Sequence, residues 1–302
     1  MNRNLTEKLK FPEGWRVPLL GGWIYRLVLR LDNRSILREP LMPLNTEPRE
    51  ERLIASLTSY PARIDYVHIA VRALMRQTCP PDEIWLWLAR EQFPDGKLPD
   101  SLTALIPHGL QIRWTDDDTK GHKKVLPAVA IQQPNELIVS FDDDIIYAPR
   151  VIERLMKTHR EHPDCVVVDR GQVLDPAHLN NPGRWNAISP EGFKTPTYRM
   201  NPSGGSGFLI PYGYLHPDTT DVEKVRELAL CNDDLWFMFM CAAQGTRLIR
   251  THRWSRPLSV AANSQTEQLA FGAILEGGNA RAIEKLRAQY PVAWQRILTD
   301  QD

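Results

Sequence analysis

The stretch Leu137-Ile138-Val139-Ser140-Phe141-Asp142-Asp143-Asp144-Ile145-Ile146-Tyr147 sets an apolar run directly against three consecutive carboxylates. Leu137 to Phe141 is short, apolar and free of turn formers, so it reads as a buried strand. The acids mark the strand's carboxyl end, and Pro149 opens a helix through His159, a first-turn placement that proline tolerates. Adjacent like charges repel and raise one another's pKa, which costs stability unless something compensates. A bound divalent cation would compensate. If the extended geometry continues, Asp142 and Asp144 share one face and Asp143 takes the other. Two hard oxygen ligands on one face suit Mg²⁺ or Mn²⁺, with diphosphate oxygens and water completing the shell. The plainer reading is a solvated acidic turn that caps the following helix.

Working outward, strands and helices alternate. Leu53 to Leu57, Glu83 to Leu88 and Leu110 to Trp114 read as strands before the acidic triplet, and Cys165 to Val168 as one after it. Between them, Asp65 to Gln77 carries apolar residues at helical spacing, Leu102 to Ile106 reads as a short helix, and Lys123 to Gln132 as a longer one. This order predicts an α/β fold, a doubly wound and mainly parallel sheet with flanking helices. Ligands in such sheets bind at the carboxyl ends of the strands. Three parts are expected: an N-terminal extension over 1–50, a catalytic domain over 51–260 and a helical tail over 261–302. In the extension, Arg26, Arg30, Arg34 and Arg38 recur every four residues opposite Trp23, Ile24, Leu27 and Leu31. Residues 16–38 therefore form either a basic helix suited to an anionic membrane surface or a helix packed on the core with its arginines in water.

The triplet resembles the Asp-x-Asp motif of GT-A glycosyltransferases. Ser56-Leu57-Thr58-Ser59-Tyr60-Pro61-Ala62-Arg63 after the first strand, Gln77-Thr78 with Pro81-Asp82, and Asp116-Asp117-Asp118 with Lys123-Lys124 follow in an order similar to bacterial glycosyltransferases of surface polysaccharide (capsule and O-antigen) synthesis. The resemblance spans about residues 52–260. It implies a Rossmann-like GT-A sheet, a nucleotide-diphosphate sugar as donor, with uridine as the commonest base, and a saccharide or lipid-linked hydroxyl as acceptor. It further implies Asp142 and Asp143 beside the donor, Asp142 and Asp144 on the metal, and Thr58, Tyr60, Arg63 and Asp116 around the nucleotide.

Other motifs extend the site. Lys123 and Lys124 begin a helix after three acids, where backbone N–H groups add positive potential, so either could contact the diphosphate. Gly204 and Gly205, in Ser203-Gly204-Gly205-Ser206-Gly207, allow close approach of backbone to ligand. They lack dinucleotide-fingerprint spacing. Asn232-Asp233-Asp234 precedes the apolar helix Leu235 to Ala243. It reads either as an ordinary capped helix start or as the acidic pair that supplies the base of inverting enzymes, with Asp234 preferred and Asp233 beside it. The resemblance also makes His252 a third metal ligand, against the alternative of a surface histidine.

Composition narrows the classes. The chain has 302 residues, 42% of them hydrophobic, with 37 basic and 37 acidic side chains, so it has no global basic field for nucleic acid. Its four cysteines form no C-x-x-C pair or zinc spacing. The polar start, with no apolar stretch of about 20 residues, predicts a cytoplasmic protein, with peripheral membrane contact if the basic helix binds lipid. No P-loop occurs. A nucleotidyltransferase would share the metal-carboxylate chemistry, but Thr58 to Arg63 contains no glycine. A non-catalytic carbohydrate-binding protein would account for nine tryptophans and leave the triplet unexplained.

Overall fold

The computed structural model describes residues 34–174, 195–251, 259–260 and 278–300. Its centre is β1 (Arg52–Thr58), whose five middle residues are all buried. β2 (Glu83–Ala89) and β4 (Glu136–Ser140) flank β1 in parallel, and β3 (Leu110–Thr115) extends the sheet beyond β2, also in parallel. On the far side of β4 lie β9 (Phe208–Pro211), β6 (Cys165–Val168) and β10 (Arg247–Arg250). The order is β10-β6-β9-β4-β1-β2-β3. β9 runs antiparallel to both its neighbours, while β10 and β6 pair in parallel. The result is a mixed, mostly parallel seven-stranded sheet with helices on both faces. Two short antiparallel pairs accompany it: β5 (Ile145–Ile146) with β11 (Ser259–Val260), and β7 (Gly171–Val173) with β8 (Met200–Pro202).

The period-two alternation of each strand divides the core into two layers. Leu53, Ala55 and Leu57 of β1, with Leu137 and Val139 of β4, join α1 (Val67–Met75) and α4 (Val151–Glu161) on one face. Ile54, Trp85, Ile138, Phe208 and Val166 face the other layer. That layer contains α3 (Leu126–Ala130), α5 (Val222–Leu228), α6 (Asp233–Gln244), α7 (Gly278–Gln289) and α8 (Pro291–Thr299). A short helix, α2 (Asp100–Thr103), lies between β2 and β3 in sequence. α6 is buried from Leu235 to Ala242, as expected of a helix that is apolar all round. α8 closes its far end: Nη1 of Arg296 donates to the carbonyls of Ala242 and Ala243 at 2.6 and 2.9 Å, satisfying groups the helix itself leaves open.

Two departures from the sequence pattern matter for the site. The helix expected over Lys123 to Gln132 is split into a 3₁₀ turn, Lys120–Lys124, and α3. Pro127 accounts for this, because its ring would clash with the carbonyl of residue 123 in a continuous α-helix. Lys120 enters the turn at φ 53°, unusual for a residue other than glycine. The extended geometry also stops at Asp142, and the chain turns at Asp143 and Asp144 before β5. The strand alternation that predicts Asp142 and Asp144 on one face therefore ends before Asp144.

In the N-terminal part, Trp23 to Leu31 lie outside the described residues. A helical turn over 34–38 buries Ile36 against α1 and leaves Arg34 and Arg38 exposed. Arg72 fixes it by donating to the carbonyls of Ile36 and Glu39 at 3.1 and 2.6 Å. No described helix is long and apolar enough to cross a membrane.

Candidate functional site

The carboxyl end of β4 meets four other segments: the loop after β1, the 3₁₀ turn before α3, the glycine turn before β9, and the first turn of α6. Ser56 at the top of β1 donates to the carbonyl of Lys124 at 2.6 Å, which fixes that turn to the sheet. The Lys124 side chain is almost wholly buried. Its ammonium sits 2.8 Å from Oδ1 of Asp142 and 2.9 Å from Oδ2 of Asp233. One cation thus joins the acidic triplet to the start of α6. Burial opposes charge on Lys124, yet Asp142, Asp233 and Asp234 together hold its pKa well above the ordinary lysine value. Burial likewise pushes the Asp233 carboxyl up, but Lys124, helped by His122, outweighs it and leaves Asp233 below the ordinary value.

Arg63 serves the other two acids. Its Nη1 lies 2.9 Å from Oδ1 of Asp143 and 3.0 Å from Oδ2 of Asp144. Asp143 also accepts from the Ser59 hydroxyl at 2.6 Å, so the deepest acid of the triplet is the most tightly held. The Arg63 guanidinium lies 5.5 Å from the centroid of the Tyr60 ring. Asp142, Asp143, Asp144 and Asp233 carry four formal negative charges, and Lys124 and Arg63 return two.

Two glycines permit this closeness. A Cβ on Gly205 would lie 2.8 Å from Oδ1 of Asp142 and nearer still to its other carboxylate atoms; a Cβ on Gly121 would lie 2.7 Å from Oδ2 of Asp233. Gly204 opens the same 3₁₀ turn, Gly204–Ser206. Tyr147 ties the Gly205 turn to the triplet. Its hydroxyl accepts from the Asp142 N–H at 2.7 Å and donates to the Gly205 carbonyl. Burial keeps that hydroxyl's pKa well above the ordinary tyrosine value, so it remains a neutral donor.

The residues expected from sequence separate accordingly. Arg63, Lys124, Asp142, Asp143, Asp144, Gly205 and Asp233 come together, with Tyr60 beside Arg63. Asp234 follows in the first turn of α6, half-buried. Thr58 spends its hydroxyl on the Trp87 carbonyl at 2.9 Å. Lys123 turns away from its neighbour and is buried against Asp118, which also takes Lys120 at 2.6 Å and the Gln92 amide at 3.0 Å. Asp116 is largely exposed, 3.3 Å from Arg90. Asn232 stands at the N-cap of α6 without a capping side-chain bond and donates to Asn279 of α7 at 2.5 Å. His252 lies outside the described residues. The sequence reading missed Tyr147, which looked like one more apolar position, and Ser59, Gly121 and Asp118, each obvious only once its partner is in place. It also missed His122, whose buried ring sits edge-on to Trp236 and Phe237 with Nε2 2.9 Å from the Ala229 carbonyl.

A divalent cation fits the donor chemistry of this turn. Asp142 and Asp144 offer hard carboxylate oxygens. Among the described residues no group of three His, Cys, Asp or Glu is gathered for a metal. A cation there would need phosphate oxygens or water to complete its shell.

No protein-family model matches the chain, and no curated protein matches it. Among solved structures it is similar to the mannosyltransferase PcManGT of Pyrobaculum calidifontis in complex with GDP-Man and Mn²⁺, at 13% identity and a TM-score of 0.42, over 91% of this chain and 82% of that one. It is also similar to residues 1–349 of S. aureus TarS, at 13% identity and a TM-score of 0.43, over 68% of this chain and 59% of that one. A third similarity is to a 4-diphosphocytidyl-2C-methyl-D-erythritol synthase, at 13% identity and a TM-score of 0.39, over 68% and 94%. Likenesses this distant carry no argument about activity.

Proposed function

We propose that this chain is a GT-A type glycosyltransferase, which moves a sugar from a nucleotide-diphosphate donor to the hydroxyl of a saccharide or lipid-linked acceptor. One observation supports this above the rest: a single buried ammonium, Lys124, contacts both the acidic turn after β4 and the acidic start of α6. The acidic turn and the start of α6, where Asp234 follows Asp233, must lie close together for an acceptor oxygen to attack the anomeric carbon of a bound donor.

The residues divide the work as follows. Asp142 and Asp144 would hold Mn²⁺ or Mg²⁺, which when bound would supply Lewis-acid stabilisation to the diphosphate. Lys124 orients Asp142 and offers its charge to the donor's phosphates. Asp233 is committed to Lys124 and has a lowered pKa, which makes it a poor proton acceptor. Asp234 is therefore the general base, and Asp233 positions Lys124. With a carboxylate taking the acceptor proton directly, the reaction inverts the anomeric centre. Tyr60 and Arg63 border the nucleotide, and Gly204 and Gly205 the sugar. Uridine is the proposed base and surface polysaccharide synthesis the proposed setting, both from the resemblance in sequence.

The test is product analysis with a panel of nucleotide-diphosphate sugars and a mixture of saccharide and lipid-linked acceptors. Release of nucleoside diphosphate that depends on acceptor and is lost in Asp234→Asn supports the assignment. Release of pyrophosphate from a nucleoside triphosphate and a sugar phosphate would replace it with nucleotidyl transfer. Sugar binding without any turnover would replace it with a carbohydrate-binding role.

A further inference from the structure

We propose that His122 is a positioning residue. Its hydrogen bond to the Ala229 carbonyl sets the first turn of α6, and with it Asp234, against the 3₁₀ turn that carries Lys124. The inference rests on the reading above, in which Asp234 takes the acceptor proton. It adds a residue whose ring is wholly buried and therefore acts through others.

The connection from α5 to α6 is a single turn, closed by the Asn232 N–H on the Ala229 carbonyl at 2.8 Å. It delivers Asp233 to Lys124 and Asp234 to the next position of α6. Asn232 stands at the N-cap, but its side chain makes no capping bond to the helix. The 3₁₀ turn supplies a hold from outside. His122 reaches across to the same Ala229 carbonyl with Nε2 at 2.9 Å. A carbonyl only accepts, so Nε2 carries the proton. Nδ1 is buried without a hydrogen-bond partner, so no acceptor draws the proton to it. The ring also lies edge-on to Trp236 and Phe237, with centroids 6.5 and 5.7 Å apart. One buried side chain thus grips the chain before Asp233 and the helix after Asp234. Lys124 holds only the Asp233 carboxylate, whose side-chain torsions leave the backbone behind it room to shift. Arg226 of α5 pairs with Asp117 at the surface, where water screens the contact. A shift of about 1 Å in a reacting group can cost about 100-fold in rate, so the backbone grip of His122 governs turnover more than binding.

The experiment compares the full chain with His122→Leu, which removes the donor and keeps apolar contact with α6, and His122→Gln, which keeps an N–H at about the reach of Nε2. Two quantities are read. One is steady-state transfer with whichever donor and acceptor of the panel above the wild type turns over. The other is hydrogen exchange at the Asn232 and Trp236 amides, both bonded within this turn. His122→Leu, checked for native circular dichroism, is expected to lower kcat at least tenfold with the donor KM within threefold of wild type. Its two amides should exchange at least tenfold faster. His122→Gln is expected to bring both quantities back to within threefold of wild type. If the leucine variant does not fold, His122→Met takes its place and is read in the same way. Wild-type kcat in the apolar variant overturns the positioning role. So does a loss that His122→Gln does not recover, because packing alone would then be at work. If the wild type transfers no sugar from any donor, the proposed function falls and the positioning role falls with it, whatever the exchange rates.

Discussion

Replacing Lys124 with methionine keeps most of the side-chain volume and removes the charge that Asp142 and Asp233 share. Deleting one partner of a buried ion pair costs about 3–5 kcal/mol, because the other charge is left uncompensated. Here two carboxylates are orphaned, but the Asp142 side chain is 36% exposed and water screens it, so the lower end of the range applies. For a chain of this length about 3 kcal/mol lowers Tm by roughly 5 °C. The pH dependence is more diagnostic. In the wild type the Asp233 pKa lies below 3.8, so its contribution is complete above that pH and is lost only as pH falls through the lowered value. In Lys124→Met burial acts unopposed by the lysine and raises the Asp233 pKa. A carboxyl whose folded pKa is raised destabilises the protein above that value, so the variant should gain stability as pH falls from 7 toward 4, where the wild type gains nothing from this group. Thermal denaturation at pH 4, 5, 6 and 7 reads both effects. A variant with wild-type Tm at pH 7 and a wild-type pH profile would refute the placement of Lys124 between the two acids.

Other substitutions probe the neighbouring contacts. Gly205→Ala has no backbone penalty, as its φ is not positive, but forces the Asp142 carboxylate back from Lys124. Sugar transfer should fall at least about 100-fold, near 2.7 kcal/mol, with Tm changed far less than transfer, and an active Gly205→Ala would contradict the close approach. Tyr147→Phe leaves the Asp142 N–H without its acceptor and the Gly205 carbonyl without its donor. It should cost about 1–3 kcal/mol in denaturant unfolding. Lys123→Met should destabilise the Asp118 loop by a similar amount and leave nucleotide affinity unchanged in a calorimetric titration, because that side chain faces Asp118 and not the acidic turn.

The sheet was legible in the sequence because its central strands are continuous apolar runs bounded by Pro and charged residues. β1, β2, β4 and β6 fall within one or two residues of where the pattern puts them. The glycine turn over Ser203 to Gly207 was legible, but not the strand β9 that follows it. Its antiparallel direction depends on partners far away in sequence, and no local pattern encodes that. The same limit applied at the site. Three adjacent acids announced a need for positive charge, and the pattern suggested a metal alone. The fold first answers with Arg63, 80 residues upstream of Asp143, and Lys124, 18 residues before Asp142. Lys123 and Lys124 were indistinguishable as letters. Pro127 breaks the helix, the chain turns at 3₁₀ pitch, and the two side chains diverge to Asp118 and Asp142.

The most direct test of a nucleotide-diphosphate site at the acidic turn is the melting temperature of the wild type and Asp144→Ala with UDP, GDP, ADP and CDP, each with and without Mn²⁺. A ligand that binds only the folded state at 100 times its Kd stabilises by about 2.7 kcal/mol, roughly 4 °C here. A shift of that order with one nucleotide, requiring Mn²⁺ and absent in Asp144→Ala, is the predicted result. No shift with any nucleotide, or an equal shift in Asp144→Ala, would contradict the account.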